Sequence, residues 1–244
     1  MIAKLLSYPL SVFYYLVFGS ILVLFDLLQR ITYLFGYQPH KICVDVLNFF
    51  LINGLYMIGT RVVFDMPFKL EKNQSYIIVA NHQSTYDIPP IMWFLRKIHP
   101  KFIAKKELGK GVPSISFNLK NGGSVLIDSK NPKQAIVAIK EFGEQLNKTK
   151  RSAVIFPEGT RSNNQKTRPF KVAGLLQLID VMPDAQLLGL SISHSWKIAR
   201  YGSFPLSIGT TVKLKVHPPV GCTKENAMET LQELEKTIIS GIEP

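Results

Sequence analysis

Cysteine is scarce in this chain. Only Cys43 and Cys222 occur in 244 residues, far apart and without the spacing of a zinc site. A disulfide framework is therefore excluded as the source of stability, no metal is expected, and a reducing compartment fits. Acidic residues are also few: 17 Asp and Glu stand against 29 Lys and Arg, a net charge of +12. Such a surplus calls for an anionic partner, whether nucleic acid, an acidic lipid surface or a phosphorylated substrate. Repeats and low-complexity segments are missing. Gly109-x-Gly111 lacks a third glycine and runs into Pro113, which excludes a nucleotide loop. No Gly-x-Ser-x-Gly elbow is present, which removes the usual serine acyl-enzyme. No nucleic-acid-binding motif is recognisable either, and an apolar head makes little sense for that function.

Charge is absent from two further stretches. Between Lys4 and Asp26 lie 21 uncharged residues, LLSYPLSVFYYLVFGSILVLF, and between Asp45 and Arg61 another 15. About 20 apolar residues span a bilayer, so the second run is short for a span. A mixed segment with Gly36 and Pro39 joins them. A helical hairpin dipping into one leaflet fits this pattern better than a single span. A signal peptide fits less well, because no small-x-small cleavage site follows. Ordinary core helices remain as a further reading. Residues 1–60 hold three cations against two anions, so +11 of the +12 belongs to the rest of the chain.

From about residue 63 the pattern alternates between strand and helix. Short β-branched apolar runs predict strands at 76–80 (YIIVA), 101–104, 124–127, 152–156, 187–193 and 211–216. An apolar segment covers 88–95. Residues 133–146 carry Ile136, Ile139, Phe142 and Leu146 at helical spacing, and 170–181 reads as a helix. Thr223 is expected to cap a last helix with Met228, Leu231, Leu234 and Ile238 on one face. The alternation predicts an α/β fold, a mostly parallel sheet covered by helices, with the N-terminal apolar hairpin attached. Chemistry in such folds sits on loops at the carboxyl ends of strands.

Two such loops are rich in polar groups. The first strand runs into Asn81-His82-Gln83-Ser84-Thr85-Tyr86-Asp87. Five positions on one helix point about 140° apart, so His82 and Asp87 meet only if the histidine lies on the loop and the aspartate in the first turn of the next helix. Pro89 and Pro90 fit a helix start there. A carboxylate is favoured at that end, and beside an imidazole it fixes the tautomer that can take a proton from a hydroxyl. Taken alone, the same residues fit equally a loop histidine and a helix cap. The fourth strand runs into Pro157-Glu158-Gly159-Thr160-Arg161-Ser162. Gly159 permits close backbone approach, and Arg161 offers a planar fork for phosphate. A surface turn with a solvated Glu–Arg pair is the competing reading.

Together, the Asn-His-x4-Asp block and, about 70 residues later, Phe-Pro-Glu-Gly-Thr-Arg-Ser resemble the glycerolipid acyltransferase family. Length and the apolar start make the chain most similar to bacterial 1-acylglycerol-3-phosphate acyltransferases. The resemblance implies an enzyme with a membrane-associated segment at 1–62 and an acyltransferase domain at 63–244. It implies His82 as general base, Asp87 as its orienting partner, and Lys105 in the Phe-Ile-Ala-Lys block on the acceptor's phosphate. Glu158, Gly159, Thr160 and Arg161 are implied to bind substrate, and Phe170-Lys171 matches the family's phenylalanine-lysine. The implied substrates are lysophosphatidate and an acyl thioester of CoA or acyl carrier protein, with no further cofactor. The implied place is the cytoplasmic face of a bacterial inner membrane. Two departures stand out. Gly123-Ser124-Val125-Leu126-Ile127-Asp128 fits the second block, but Ser129 replaces its arginine and Lys130 follows. The strand at 187–192 lacks the fourth block's proline. Both bear on the acceptor head group, so glycerol 3-phosphate, another lysophospholipid or a lyso-aminolipid stays open, as does a non-catalytic membrane-binding relative. Elsewhere, His194 reads as a packed or interfacial histidine rather than a catalytic one, and Lys148, Lys150 and Arg151 as a solvated helix end, with a donor-binding patch as the competing reading. His40, His99 and His217, each close to a proline, are assigned to loops without a role. Phe102, Phe117 and Phe170 read as core, with the lining of an acyl tunnel as the competing reading.

Overall fold

The computed structural model describes residues 2–71, 73–162 and 167–244. Seven strands form one sheet: β1 (Arg61–Asp65), β2 (Tyr76–Ala80), β3 (Pro100–Lys105), β4 (Val125–Ile127), β5 (Ser152–Ile155), β6 (Gln186–Ser193) and β7 (Thr211–Val216). Their order is β1-β7-β6-β2-β5-β3-β4. Among the described strand pairs only β6–β7 is antiparallel, with Leu190 opposite Val216. The carboxyl ends of β6, β2, β5, β3 and β4 therefore share one end of the sheet. β2 is buried throughout, and its alternate residues serve two cores. Tyr76, Ile78 and Ala80 pack towards α3 (Ile88–Phe94) and the N-terminal helices. Ile77 and Val79 face the other core, with α5 (Pro132–Thr149), α6 (Ala173–Val181) and α7 (Ala227–Ser240). The mostly parallel sheet with helices on both faces is the expected architecture.

The remaining helices are α1 (Ile2–Tyr33), α2 (Tyr37–Gly54) and α4 (Ile115–Asn121). α1 and α2 form the expected hairpin, and both are long and apolar enough to cross a membrane. The turn is tighter than the sequence suggests: the connection is 34–36, and α2 already contains Pro39 and His40. Proline in a first turn removes only an N–H that has no helical partner, so it does not delay the helix. His40 therefore lies buried in a helix and not in a loop. Sidedness in α1 is reversed relative to a water-facing helix. Ser7, Ser11 and Gln29 are on its buried stripe, and Ser11 Oγ accepts the Leu206 N–H at 2.8 Å. Gln29 and Asp26 both bond Ser114, the aspartate accepting its N–H at 2.7 Å. Leu5, Phe13, Leu16 and Val23 point outwards instead, and Leu5 is 71% exposed.

Three further readings are corrected. β1 was not among the expected strands: its pattern alternates between exposed and half-buried residues, as an edge strand's does, and only three apolar residues mark it. Helix α6 starts at Ala173 because 170–172 is held elsewhere, with Lys171 N–H on the Pro157 carbonyl (3.0 Å) and Phe170 N–H on Glu235 (3.0 Å). Thr223 does not cap α7. Asn226 occupies the cap position, and its side chain accepts the Thr223 N–H at 2.8 Å. Met228 is exposed, while Leu231, Leu234 and Ile238 are buried.

At the opposite end of the sheet from the two polar loops, α2 meets β3 and β5 through a crowd of cations. Lys101 is 6% exposed with its ammonium 5.0 Å from the Tyr37 ring, and Arg151 lies 3.6 Å over the same ring. Burial pushes the Lys101 amine down to about 8, and Arg151 and Lys41 add to the effect. His99, which bonds Tyr37 Oη at 2.7 Å, is pushed down to about 4 by burial and the same cations. A lowered lysine pKa opposes folding below pH 8. The penalty lifts as pH rises from there towards the unfolded value, since only the unfolded chain still holds the proton. Lys101→Met is therefore expected to stabilise the protein by about 1–2 kcal/mol at pH 7. The gain should shrink as pH rises to about 10, the unfolded lysine's range. Denaturation midpoints of both proteins across that pH range check this, and a variant less stable than wild type at pH 7 refutes it.

Candidate active site

β2 and β5 are neighbours, so the two polar loops leave the sheet side by side. Asn81 fixes the start of the first. Its amide donates to the Ile192 carbonyl (2.9 Å) and accepts the Ile192 N–H (2.7 Å), copying one more rung of the β2–β6 ladder. The chain then passes His82 and enters a 3₁₀ turn, Thr85–Asp87, that leads into α3, with Ser84 at the cap. His82 thus lies on the loop and Asp87 at the helix start, and His82 Nδ1 is 2.8 Å from Asp87 Oδ2.

Asp87 is fully buried and receives donors on both oxygens. Oδ2 accepts from His82 Nδ1 and from the N–H groups of Gln83 (2.8 Å) and Ser84 (2.9 Å). Oδ1 accepts from the Ser195 hydroxyl, itself fully buried. A carboxylate surrounded by donors takes the Nδ1–H of His82 and leaves Nε2 with its lone pair. Nε2 has no partner among the described residues. The imidazole is fixed in other ways too, for its face stacks on Phe156 with centroids 4.1 Å apart.

The second loop clamps the same histidine. Glu158 Oε1 accepts the His82 N–H at 2.8 Å, and Ser162 N–H donates to the His82 carbonyl at 2.8 Å. Glu158 Oε2 accepts the Arg168 N–H at 3.0 Å. Glu158 is 2% exposed, and burial raises its pKa against the lowering effect of those two N–H bonds. Glu158, expected to bind substrate, is here a buried carboxyl group bonded to two backbone amides, and it joins the two loops. Gly159 has φ +69° and exposed backbone; a Cβ there would stand 3.2 Å from Lys171 Nζ. The left-handed turn thus needs glycine and brings the Lys171 ammonium over it. Arg161 and Lys171 are exposed, Thr160 is half-buried, and neither cation makes an ion pair among the described residues. The Gly159 N–H is used in the turn, donating to the Phe156 carbonyl at 3.0 Å. The N–H groups of Thr160 and Arg161 have no partner among the described residues.

Lys105 ends β3, two strands from β2 on the same sheet end, and is exposed. It contacts neither His82 nor Arg161. Asp128 of the second block pairs with Lys106 at 2.5 Å. Ser195 and Arg168 escaped sequence reading, and Ser162 stood in its motif without a role. Each acts through a backbone group or a neighbour's carboxylate, and no spacing signals that.

The acyltransferase family profile matches residues 61–188, just over half of the chain and both loops. The chain belongs to the acyltransferase family. Its match to the 1-acyl-sn-glycerol-3-phosphate acyltransferase of Helicobacter pylori is 41% identical over 99 residues, 39% of each chain. With the alpha form of the human enzyme it is 33% identical over 130 residues, 52% of this chain and 44% of that one. The chain thus spans about two fifths of the length of these curated relatives. The crystal structure of the 1-acyl-sn-glycerophosphate (LPA) acyltransferase PlsC from Thermotoga maritima superposes with a TM-score of 0.78 at 25% identity. That match covers 98% of this chain and 95% of that one.

Proposed function

We propose that this acyltransferase moves a fatty acyl group from a thioester of CoA or acyl carrier protein to the free hydroxyl of a 1-acylglycerol 3-phosphate, giving phosphatidate. The observation that carries the reading is His82, with Nδ1 on buried Asp87 and Nε2 without a partner among the described residues, on the loop next to the one that carries Arg161 and Lys171. Nε2 takes the proton from the acceptor hydroxyl as its oxygen forms a bond to the thioester carbon. The carbonyl oxygen becomes an oxyanion, and the N–H groups of Thr160 and Arg161 are available to receive it. Collapse breaks the C–S bond, and the imidazolium returns its proton to the leaving thiolate. No covalent enzyme intermediate is needed. Arg161 and Lys171 hold the acceptor's phosphate, with Lys105 at the outer edge.

The hairpin brings this site to its lipid. α1 turns its polar stripe to the protein and its apolar face outwards, the orientation of a helix whose solvent is hydrocarbon. The protein sits on the cytoplasmic face of a bacterial inner membrane, where acidic thioester donors meet its basic body.

Purified protein with lysophosphatidate and either donor is expected to form phosphatidate. A panel of glycerol 3-phosphate and other lysolipids tests whether Ser129 has shifted the head group. Arg161→Ala is expected to raise the acceptor KM by about 10-fold or more, the loss of a charge-assisted phosphate contact, with kcat less affected. An unchanged acceptor response removes the phosphate role.

A further inference from the structure

A cavity that the steps above do not use opens beyond the end of β6, the strand next to the one that carries His82. β6 ends at Ser193, and the chain turns at His194 (φ +68°) into a 3₁₀ helix, Ser195–Ala199. The stretch before β7 folds over this helix, its Ser207 N–H on the Ile198 carbonyl at 2.7 Å. Between them lies a cavity of about 330 Å³, lined by His194, Lys197, Arg200, Ile208, Ser207 and 209–211.

Its charged lining has one sign. Lys197 lies 5.9 Å from the Trp196 ring and Arg200 4.8 Å from that of Tyr201, and neither forms an ion pair among the described residues. The neighbouring carboxylate, Glu243, is held by Lys213 at 2.6 Å. His194 is a wall, its ring nitrogens on backbone oxygens of Thr211 (3.3 Å) and Pro244 (2.7 Å). Ser207 and Thr210 add two hydroxyl donors to the same lining. With Lys197 and Arg200 in the same lining, they make the cavity suited to an oxyanion.

The sheet order says which anion. β2, which carries His82, stands between β5 and β6. The β5 loop presents Arg161 and Lys171 on one side, and the segment after β6 presents Lys197 and Arg200 on the other. Two substrates must meet at His82, each with its reacting atom there and its phosphate elsewhere. With the acceptor's phosphate on the β5 side, the β6 side is left for the donor. The chain links the two places, since Ser195, which follows the lining residue His194, bonds Asp87. We infer that this cavity binds the phosphate at the far end of the donor's pantetheine arm, a group that CoA and acyl carrier protein share. The inference rests on the acyl-transfer reading.

The test uses the full chain in detergent micelles, as wild type and as the Lys197→Gln/Arg200→Gln double variant. Three donors carry one acyl chain: acyl-CoA, acyl carrier protein, and acyl-pantetheine, which lacks the phosphate. The variant is expected to raise KM about 10-fold or more for the two phosphate-bearing donors, as two charge-assisted contacts are lost. The acceptor KM, kcat and the kinetics with acyl-pantetheine should match wild type. An equal change for all three donors, no change for any, a rise confined to one carrier, or a raised acceptor KM overturns the inference while leaving acyl transfer standing. A wild type that transfers from no donor overturns the acyl-transfer reading, and the inference with it. Single variants at Lys197 and Arg200 with wild-type melting behaviour separate lost binding from lost folding.

Discussion

Asp87→Asn is expected to lower kcat by about a thousandfold while leaving the fold close to wild type. The prediction follows from which atoms surround the carboxylate. Three N–H groups converge on Oδ2, from His82, Gln83 and Ser84, so an asparagine must keep its oxygen there. Its NH₂ then faces Ser195, whose hydroxyl can rotate from donor to acceptor. Every hydrogen bond is kept and the imidazole stays in its tautomer. What disappears is the negative charge, and with it the stabilisation of the imidazolium that forms when His82 takes the acceptor's proton. The loss should appear in kcat at saturating acceptor and donor, with little change in either KM. A variant with near-wild-type kcat shows that no imidazolium develops beside residue 87. A large drop in melting temperature with it assigns the residue to folding instead.

The same constellation shows how far the sequence could be read. His82 and Asp87 are five positions apart, and a loop-to-helix placement was the one local geometry that let them meet. The strand before and the prolines after gave it away. The buried strands were legible because a strand covered on both faces is a continuous apolar run, as in YIIVA at β2. β1 was not legible, because an edge strand needs no such run. Ser195 lies 108 residues from Asp87, and its contact exists because β6 pairs beside β2, a fact of topology with no local trace. Glu158 was visible as a carboxylate in a conspicuous turn, yet its direction was not. Whether it faced solvent, substrate or the neighbouring loop depended on the chain at 168 returning over it. The cavity after β6 falls in the same class, formed by two segments from either side of a cis Phe204–Pro205 connection that looks like ordinary loop.

His82→Ala is expected to reduce turnover by about 10³–10⁴-fold, the range that a positioned general base supplies at its upper end. The protein should still fold and keep its lipid attachment. The loop is held by the His82 backbone, whose N–H bonds Glu158 and whose carbonyl accepts from Ser162, both at 2.8 Å, and alanine keeps both. The attachment belongs to α1 and α2, which the ring does not support. Truncation leaves a gap against Phe156, with the Asp87 carboxylate at its base and a partly open side, since the imidazole is 16% exposed. Free imidazole fits that gap, stacks on the same ring and donates to the same oxygen. Added imidazole should therefore restore part of the lost rate to His82→Ala, and none to a variant that also carries Asp87→Asn, where the developing cation has no counter-charge. That difference separates a base from a residue that merely shapes the loop, because a shaping role gives no reason for rescue to depend on the aspartate. Near-normal turnover in His82→Ala without imidazole would discard the mechanism, whatever the variant's stability.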